Sequence, residues 1–229
     1  MVIGIAGKAG AGKDTVAKMI ARHLPEAEFE IVRFADKVKD IVCLLTGCTR
    51  KDLENQEFKE SQLPVEWTDD FGTISYRQAM QYIGTDLFRN KFHKDTWVNA
   101  TMKDINPELY NYIIPDVRFK NEADAIRNIG GTIIYVESNT FSSYDHESEI
   151  GLEGYNFDII IHNNSSLEAL DKAVGELVTY IIDNTENDDS TNYTDLIDSK
   201  KEIEQIKSIL NTLLDRVGQL EKINYNNYV

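Results

Sequence analysis

The run Gly7-Lys8-Ala9-Gly10-Ala11-Gly12-Lys13-Asp14-Thr15 constrains this chain more than any other stretch. It has the Gly-x-x-x-x-Gly-Lys frame of a phosphate-binding loop. It follows a short β-branched apolar run, residues 2–6, and precedes Val16, Ala17, Ile20 and Leu24 at helical spacing. Strand, loop and helix in that order let glycine backbone N–H groups converge on a phosphate, while the helix N-terminus adds its dipole. Gly10, Ala11, Gly12, Lys13, Asp14 and Thr15 are the expected nucleotide-phosphate contacts, with Lys13 supplying the positive charge.

The rest of the chain alternates in the same way. Residues 29–34 read as a second strand, and 36–45 as a helix with Val38, Ile41, Val42 and Leu45 on one face. Residues 49–73 are polar, interrupted by Pro64, and predict a short helix and a mobile loop. Helices are expected at 75–83, 95–105, 121–129 and 165–182. Strands are expected at 112–115, 132–136 and 158–162, with Gly130-Gly131 stopping the helix before the second of these. Alternating strands and helices predict an α/β fold: a three-layer P-loop NTPase architecture around a mainly parallel five-stranded sheet.

After residue 183 the pattern changes. Residues 184–195 are polar and read as a linker. Beyond them Leu196, Ile203, Leu210 and Val217 recur every seven residues, with Ile206, Leu213 and Leu220 between. The organisation is therefore a domain at 1–183, a linker at 184–195, and a coiled-coil-like helix at 196–223. An isolated helix of that length is marginal in water and needs a partner for its stripe. Homo-oligomerisation, with a dimer favoured, and folding back onto the domain both answer that need.

Composition narrows the function. A net charge of −15 argues against a long groove for nucleic acid, which demands clustered Lys and Arg. Cys43 and Cys48 have no second pair or neighbouring histidine at metal spacing, so neither a disulfide framework nor a zinc site is expected. With no basic leader and no long apolar run, the expectation is a soluble cytoplasmic protein with no membrane contact.

No Asn-Lys-x-Asp segment is present to read guanine, and the strand at 112–115 ends in a single Asp116 rather than an acidic pair. A small-molecule kinase is the reading left. Transfer between two phosphates requires cations beyond the loop, because donor and acceptor repel until neutralised. Lys39, Lys59, Arg77, Arg89, Arg118 and Arg127 are the candidates.

Several blocks then line up in order: Gly12-Lys13-Asp14-Thr15, the run from Arg77 to Asp86, Trp97-Val98, Pro115-Asp116-Val117-Arg118, His146-Glu147-Ser148-Glu149 and Asn163 to Glu168. Together they resemble the phage-type deoxynucleoside monophosphate kinase family across most of residues 1–182. The resemblance implies ATP and Mg²⁺, a small-molecule dNMP acceptor, and the reaction dNMP + ATP = dNDP + ADP in the host cytoplasm. It also implies catalytic roles for Lys13, Arg77, Asp116 and Arg118, and an acceptor site made of Val38, Lys39, Lys59, Arg77, Gly84, Thr85, Trp97 and Asp116. Metal contact, direct or through water, would fall to Asp14 and Thr15; Asp14 stands where most such loops carry Ser or Thr, and serves equally as a helix cap. The lid region, residues 138–153, contains no Lys or Arg. The alternatives are a P-loop kinase with another small phosphorylated or hydroxyl acceptor, and a catalytically idle nucleotide-binding assembly protein.

Overall fold

β1 (Val2–Ala6) is buried at every position, which only a strand in the middle of a covered sheet can be. The computed structural model describes residues 1–68, 72–139 and 151–185. It places β1 between β3 (Tyr112–Val117) and β4 (Thr132–Glu137), with β2 (Glu30–Ile31) and β5 (Ile159–His162) at the edges. All four pairings are parallel, in the order β2-β3-β1-β4-β5. Ile3, Ile5, Ile113, Ile114, Ile133 and Ile134 are fully buried between the helical layers. Each contributes on the order of 1.5–3 kcal/mol of burial free energy.

The helices are α1 (Lys13–His23), α2 (Ala35–Thr46), α3 (Gln56–Glu60), α4 (Tyr76–Gln81), α5 (Thr96–Met102), α6 (Lys120–Arg127) and α7 (Leu167–Thr185). A π-helix, Tyr82–Phe92, continues directly from α4. α4 begins with a reciprocal cap, Ser75 and Gln78 each bonding the other's backbone, and Ser166 Oγ receives the Ala169 N–H at the start of α7. The chain divides into two compact units, Met1–Val178 and Thr179–Val229; in the second, only the last residues of α7 are described. The heptad row at 196–223 and most of the linker lie outside the described residues, as does His146.

The sequence reading is corrected at three places. The second strand is two residues long instead of six, because β2 is an edge and the chain turns into α2 at Phe34. On α2, Leu45 is 49% exposed while Lys39 is buried at 6%, so the inward face runs through Val38, Lys39 and Val42. β3 continues past Pro115 to Val117. Gly4 pairs with Ile114 but Ala6 with Val117, so β3 carries one extra residue there. This bulge accommodates a proline in an interior strand and re-aims Asp116.

Candidate functional site

The chain order reverses beside β1: from β1 the chain leads through α1 to β2 on one side, and from β3 it crosses back through α6 to β4 on the other. Ligands of open parallel sheets bind at the carboxyl ends of strands where the order reverses. Here the loop after β1 and the end of β3 meet, and a cavity of about 790 Å³ opens between them.

Its donor end is the phosphate loop. Gly12 has φ +95°, and a Cβ there would lie 2.6 Å from Asn163 Nδ2; Gly7 has φ +147°, with a Cβ 2.6 Å from the Val136 carbonyl. Both positions therefore require glycine. Asn163, just beyond β5, braces the loop by donating from Nδ2 to the Ala11 carbonyl at 3.0 Å. Lys13 Nζ is held across the loop by the Gly7 and Lys8 carbonyls, each at 2.8 Å. Arg33, in the turn after β2, donates to Asp14 Oδ1 at 2.7 Å. Lys8 is exposed and does not line the cavity.

Asp116, near the end of β3, lines the cavity as well. Its two carboxylate oxygens accept the Phe34 and Ala35 N–H groups at 3.1 and 2.9 Å. These are the N-cap and first helical residue of α2, which has no side-chain cap of its own. Asp116 thus satisfies orphan donors at the start of the helix carrying Val38 and Lys39. Burial pushes its pKa up, and the two N–H bonds and nearby Arg118 pull it back.

Away from the phosphate loop Lys39 Nζ pairs with Glu54 at 2.6 Å, and the Arg77 guanidinium bonds Glu60 through Nε and Gln56 through an NH2 group at 2.8 Å. Lys59 is half-buried beside these cations; burial first, then Arg77 and Lys39, lowers its pKa. Val38, Gly84, Thr85 and Trp97 complete the wall. Trp97 is 5% exposed and donates its indole N–H to the Gly84 carbonyl at 2.6 Å, with its ring 5.3 Å from that of Phe88. It is a core residue that also lines the cavity.

Beneath Arg118, Glu122 accepts the Arg118 and Phe119 N–H groups at 2.8 and 3.1 Å and pairs with Arg89. Arg89 lies over the Phe119 ring at 3.7 Å, and its buried Nε has no hydrogen-bond partner. Burial raises the Glu122 pKa to about 7, against the pull of Arg89 and the two N–H donors.

Of the sequence-predicted residues, Gly10, Lys13, Asp14, Val38, Lys39, Lys59, Arg77, Gly84, Thr85, Trp97, Asp116 and Arg118 all line this cavity. Ala11, Gly12 and Thr15 shape the loop without lining it. Arg127 lies elsewhere, paired with Asp158 and stacked on Tyr155. The lining residues that sequence reasoning missed include Arg33, Glu54, Glu60 and Glu122. Among the described residues, seven cations face the cavity, so a chain of net charge −15 carries a locally basic site. Also among the described residues, no cluster of three or more His, Cys, Asp or Glu could hold a metal, and no helix is long and apolar enough to cross a membrane.

The sequence family described as deoxynucleotide monophosphate kinase matches over residues 50–174. A protein of Acanthamoeba polyphaga mimivirus bearing that family name is 32% identical over 187 residues, 73% of this chain and 91% of the relative. The deoxynucleotide monophosphate kinase of Enterobacteria phage T4 is 40% identical over 101 residues, 42% of each chain. The deoxynucleoside-5'-monophosphate kinase of Escherichia phage T5 is 24% identical over 214 residues, 66% of this chain and 85% of the relative.

Proposed function

We propose that this chain, which belongs to the deoxynucleotide monophosphate kinase family, transfers the terminal phosphoryl group of ATP to a deoxynucleoside monophosphate, giving the diphosphate and ADP. The observation that carries the reading is the continuity of one cavity, from Lys13 at the phosphate loop to Lys39, Lys59 and Arg77 at the other end.

The loop N–H groups and the N-terminus of α1 receive the ATP phosphates, and Lys13 follows the charge as it moves toward the leaving ADP. Mg²⁺ enters with ATP as part of the substrate. The donor set fits this, because Asp14, which lines the cavity, and Thr15 beside it stand at the loop as oxygen groups that can order the ion's water. Its chemistry there is charge neutralisation between phosphates. Arg77, Lys39 and Lys59 hold the acceptor phosphate, while Val38, Gly84, Thr85 and Trp97 bound the nucleoside. Arg118 neutralises charge at the transferring group, and Asp116 sets the position of α2. A monophosphate is already mostly ionised at pH 7, with a second pKa near about 6, so the acceptor needs no general base. The remaining work is alignment and electrostatics.

We further assign residues 1–183 to the kinase domain and 196–223 to self-association of two copies through the heptad row, with the enzyme acting in the cytoplasm of an infected host. Deleting 184–229 should abolish the dimer in sedimentation and leave turnover intact.

The test of the main reading is ADP release with ATP, Mg²⁺ and each deoxy- and ribonucleoside monophosphate in turn. Turnover with at least one dNMP, lost in both Lys13→Ala and Arg77→Ala, is expected. ATP binding without turnover of any dNMP would overturn it.

A further inference from the structure

One nine-residue stretch, 52–60, sends two carboxylates, Glu54 and Glu60, into a cavity whose acceptor end otherwise gathers Lys39, Lys59 and Arg77. Carboxylates beside a phosphate site oppose the ligand's charge, so their presence calls for a reason. Glu54 binds Lys39 and Glu60 binds Arg77, and Lys59 feels Arg77, Lys39 and Glu54. These five groups therefore form one electrostatic unit. Three cations against two carboxylates leave a formal charge of +1.

We propose that Glu54 and Glu60 are specificity residues that hold this end at the charge of a single phosphate, so that the monophosphate is accepted and its diphosphate product is refused. The inference rests on the kinase reading above. A phosphate monoester carries a charge of about −1.5 to −2 at pH 7, and a second phosphate adds at least one more negative charge. Each fixed carboxylate repels both ligands, but it repels the diphosphate more, in proportion to charge. With the two glutamates present, discrimination against the product arises from charge as well as from space. It also hastens departure of the diphosphate from the acceptor end, where it is formed, and so clears the end for the next turnover.

A purely structural role makes a different prediction. If the two pairs merely brace the stretch 52–60 against α2 and α4, removing one loosens Lys39 or Arg77 and weakens both ligands alike. If exclusion of the diphosphate is steric alone, charge-neutral variants leave the ratio of affinities where it was. Glu54 and Glu60 side chains are 56% and 51% exposed, so glutamine substitutions preserve the fold and the hydrogen-bonding shape.

The experiment uses the full chain, with ADP saturating the donor end and Mg²⁺ withheld so that no phosphoryl transfer occurs and only the acceptor end is titrated. Calorimetry then gives Kd for the best dNMP substrate and for its own diphosphate, in wild type, Glu54→Gln, Glu60→Gln and the double variant. The expected result is that diphosphate affinity rises about tenfold in each single variant and further in the double, while dNMP affinity rises by only about four- to fivefold in each single variant, in keeping with its smaller charge. The ratio of the two Kd values thus moves toward one. An unchanged ratio in enzyme that turns over the dNMP would overturn the inference and leave the kinase reading standing. Absence of turnover with every dNMP would remove both.

Discussion

Replacing Asp116 with alanine separates two things this residue could be doing, because its carboxylate holds a helix as well as facing the site. In the native chain both oxygens accept N–H groups, from Phe34 at 3.1 Å and Ala35 at 2.9 Å. Alanine leaves two largely buried donors without partners, each costing on the order of 1–3 kcal/mol. Part of that loss is offset, since burial of the carboxyl, the largest influence on its raised pKa, is relieved as well. A net destabilisation of about 2–3 kcal/mol follows. With a urea m-value of about 2 kcal/mol/M, the unfolding midpoint should fall by about 1–1.5 M. Asparagine keeps one acceptor oxygen and should lose roughly half as much. Because α2 carries Val38 and Lys39, KM for the acceptor should rise in both variants, in the order of their stability loss. Urea titration followed by circular dichroism, with steady-state kinetics on the same preparations, reads both effects. Collapsed turnover with an unmoved midpoint in both variants would refute the helix-holding argument and place Asp116 in contact with substrate alone.

Other substitutions test other parts of the cavity. Gly12→Ala adds a Cβ 2.6 Å from Asn163 Nδ2 at a φ of +95°, and should cost about 2 kcal/mol in the urea midpoint while weakening ATP binding at least tenfold. Glu122, with its pKa raised by burial from 4.5 to about 7, binds its proton more tightly folded than unfolded, so its contribution to stability is full below pH 4.5 and is lost as pH rises through 7. Glu122→Gln should therefore flatten stability between pH 5 and 8 relative to wild type, and parallel profiles would contradict this. Arg33→Ala removes the 2.7 Å contact to Asp14 and should raise KM for ATP several-fold with little change in the unfolding midpoint, as expected of a partly exposed pair.

The donor end could be read from the chain because its physics is local. A glycine-rich turn between a strand and a helix announces itself over nine consecutive residues, and β1, α1 and the loop fall where that pattern puts them. The sheet followed from short apolar runs, although the edge strand shrank once Asp116 had drawn residues 34 and 35 into a helix. That event depends on a residue 82 positions from Phe34 along the chain. The acceptor cations Lys39, Lys59 and Arg77 came from resemblance, since a lone Lys or Arg in sequence looks like any solvated surface charge. Glu54, Glu60 and Arg33 stayed hidden for a related reason: a phosphate site directs attention to cations near helices, whereas the two glutamates are anions and all three find their partners in segments distant along the chain. The π-helix also left no sequence sign: the helix expected at 75–83 stops where Tyr82–Phe92 winds on. Only the packing of Trp97, whose indole N–H takes the Gly84 carbonyl, shows why the chain winds there.

The central claim is that donor and acceptor ends belong to one cavity, and a bisubstrate ligand in which adenosine and the preferred deoxynucleoside are joined by five phosphates tests it most directly. Calorimetry should find one molecule bound per chain, more tightly than ATP or dNMP alone, displaced by either, and weakened by both Lys13→Ala and Arg77→Ala. Two molecules bound per chain, or affinity that answers to Lys13 but not to Arg77, would contradict the account.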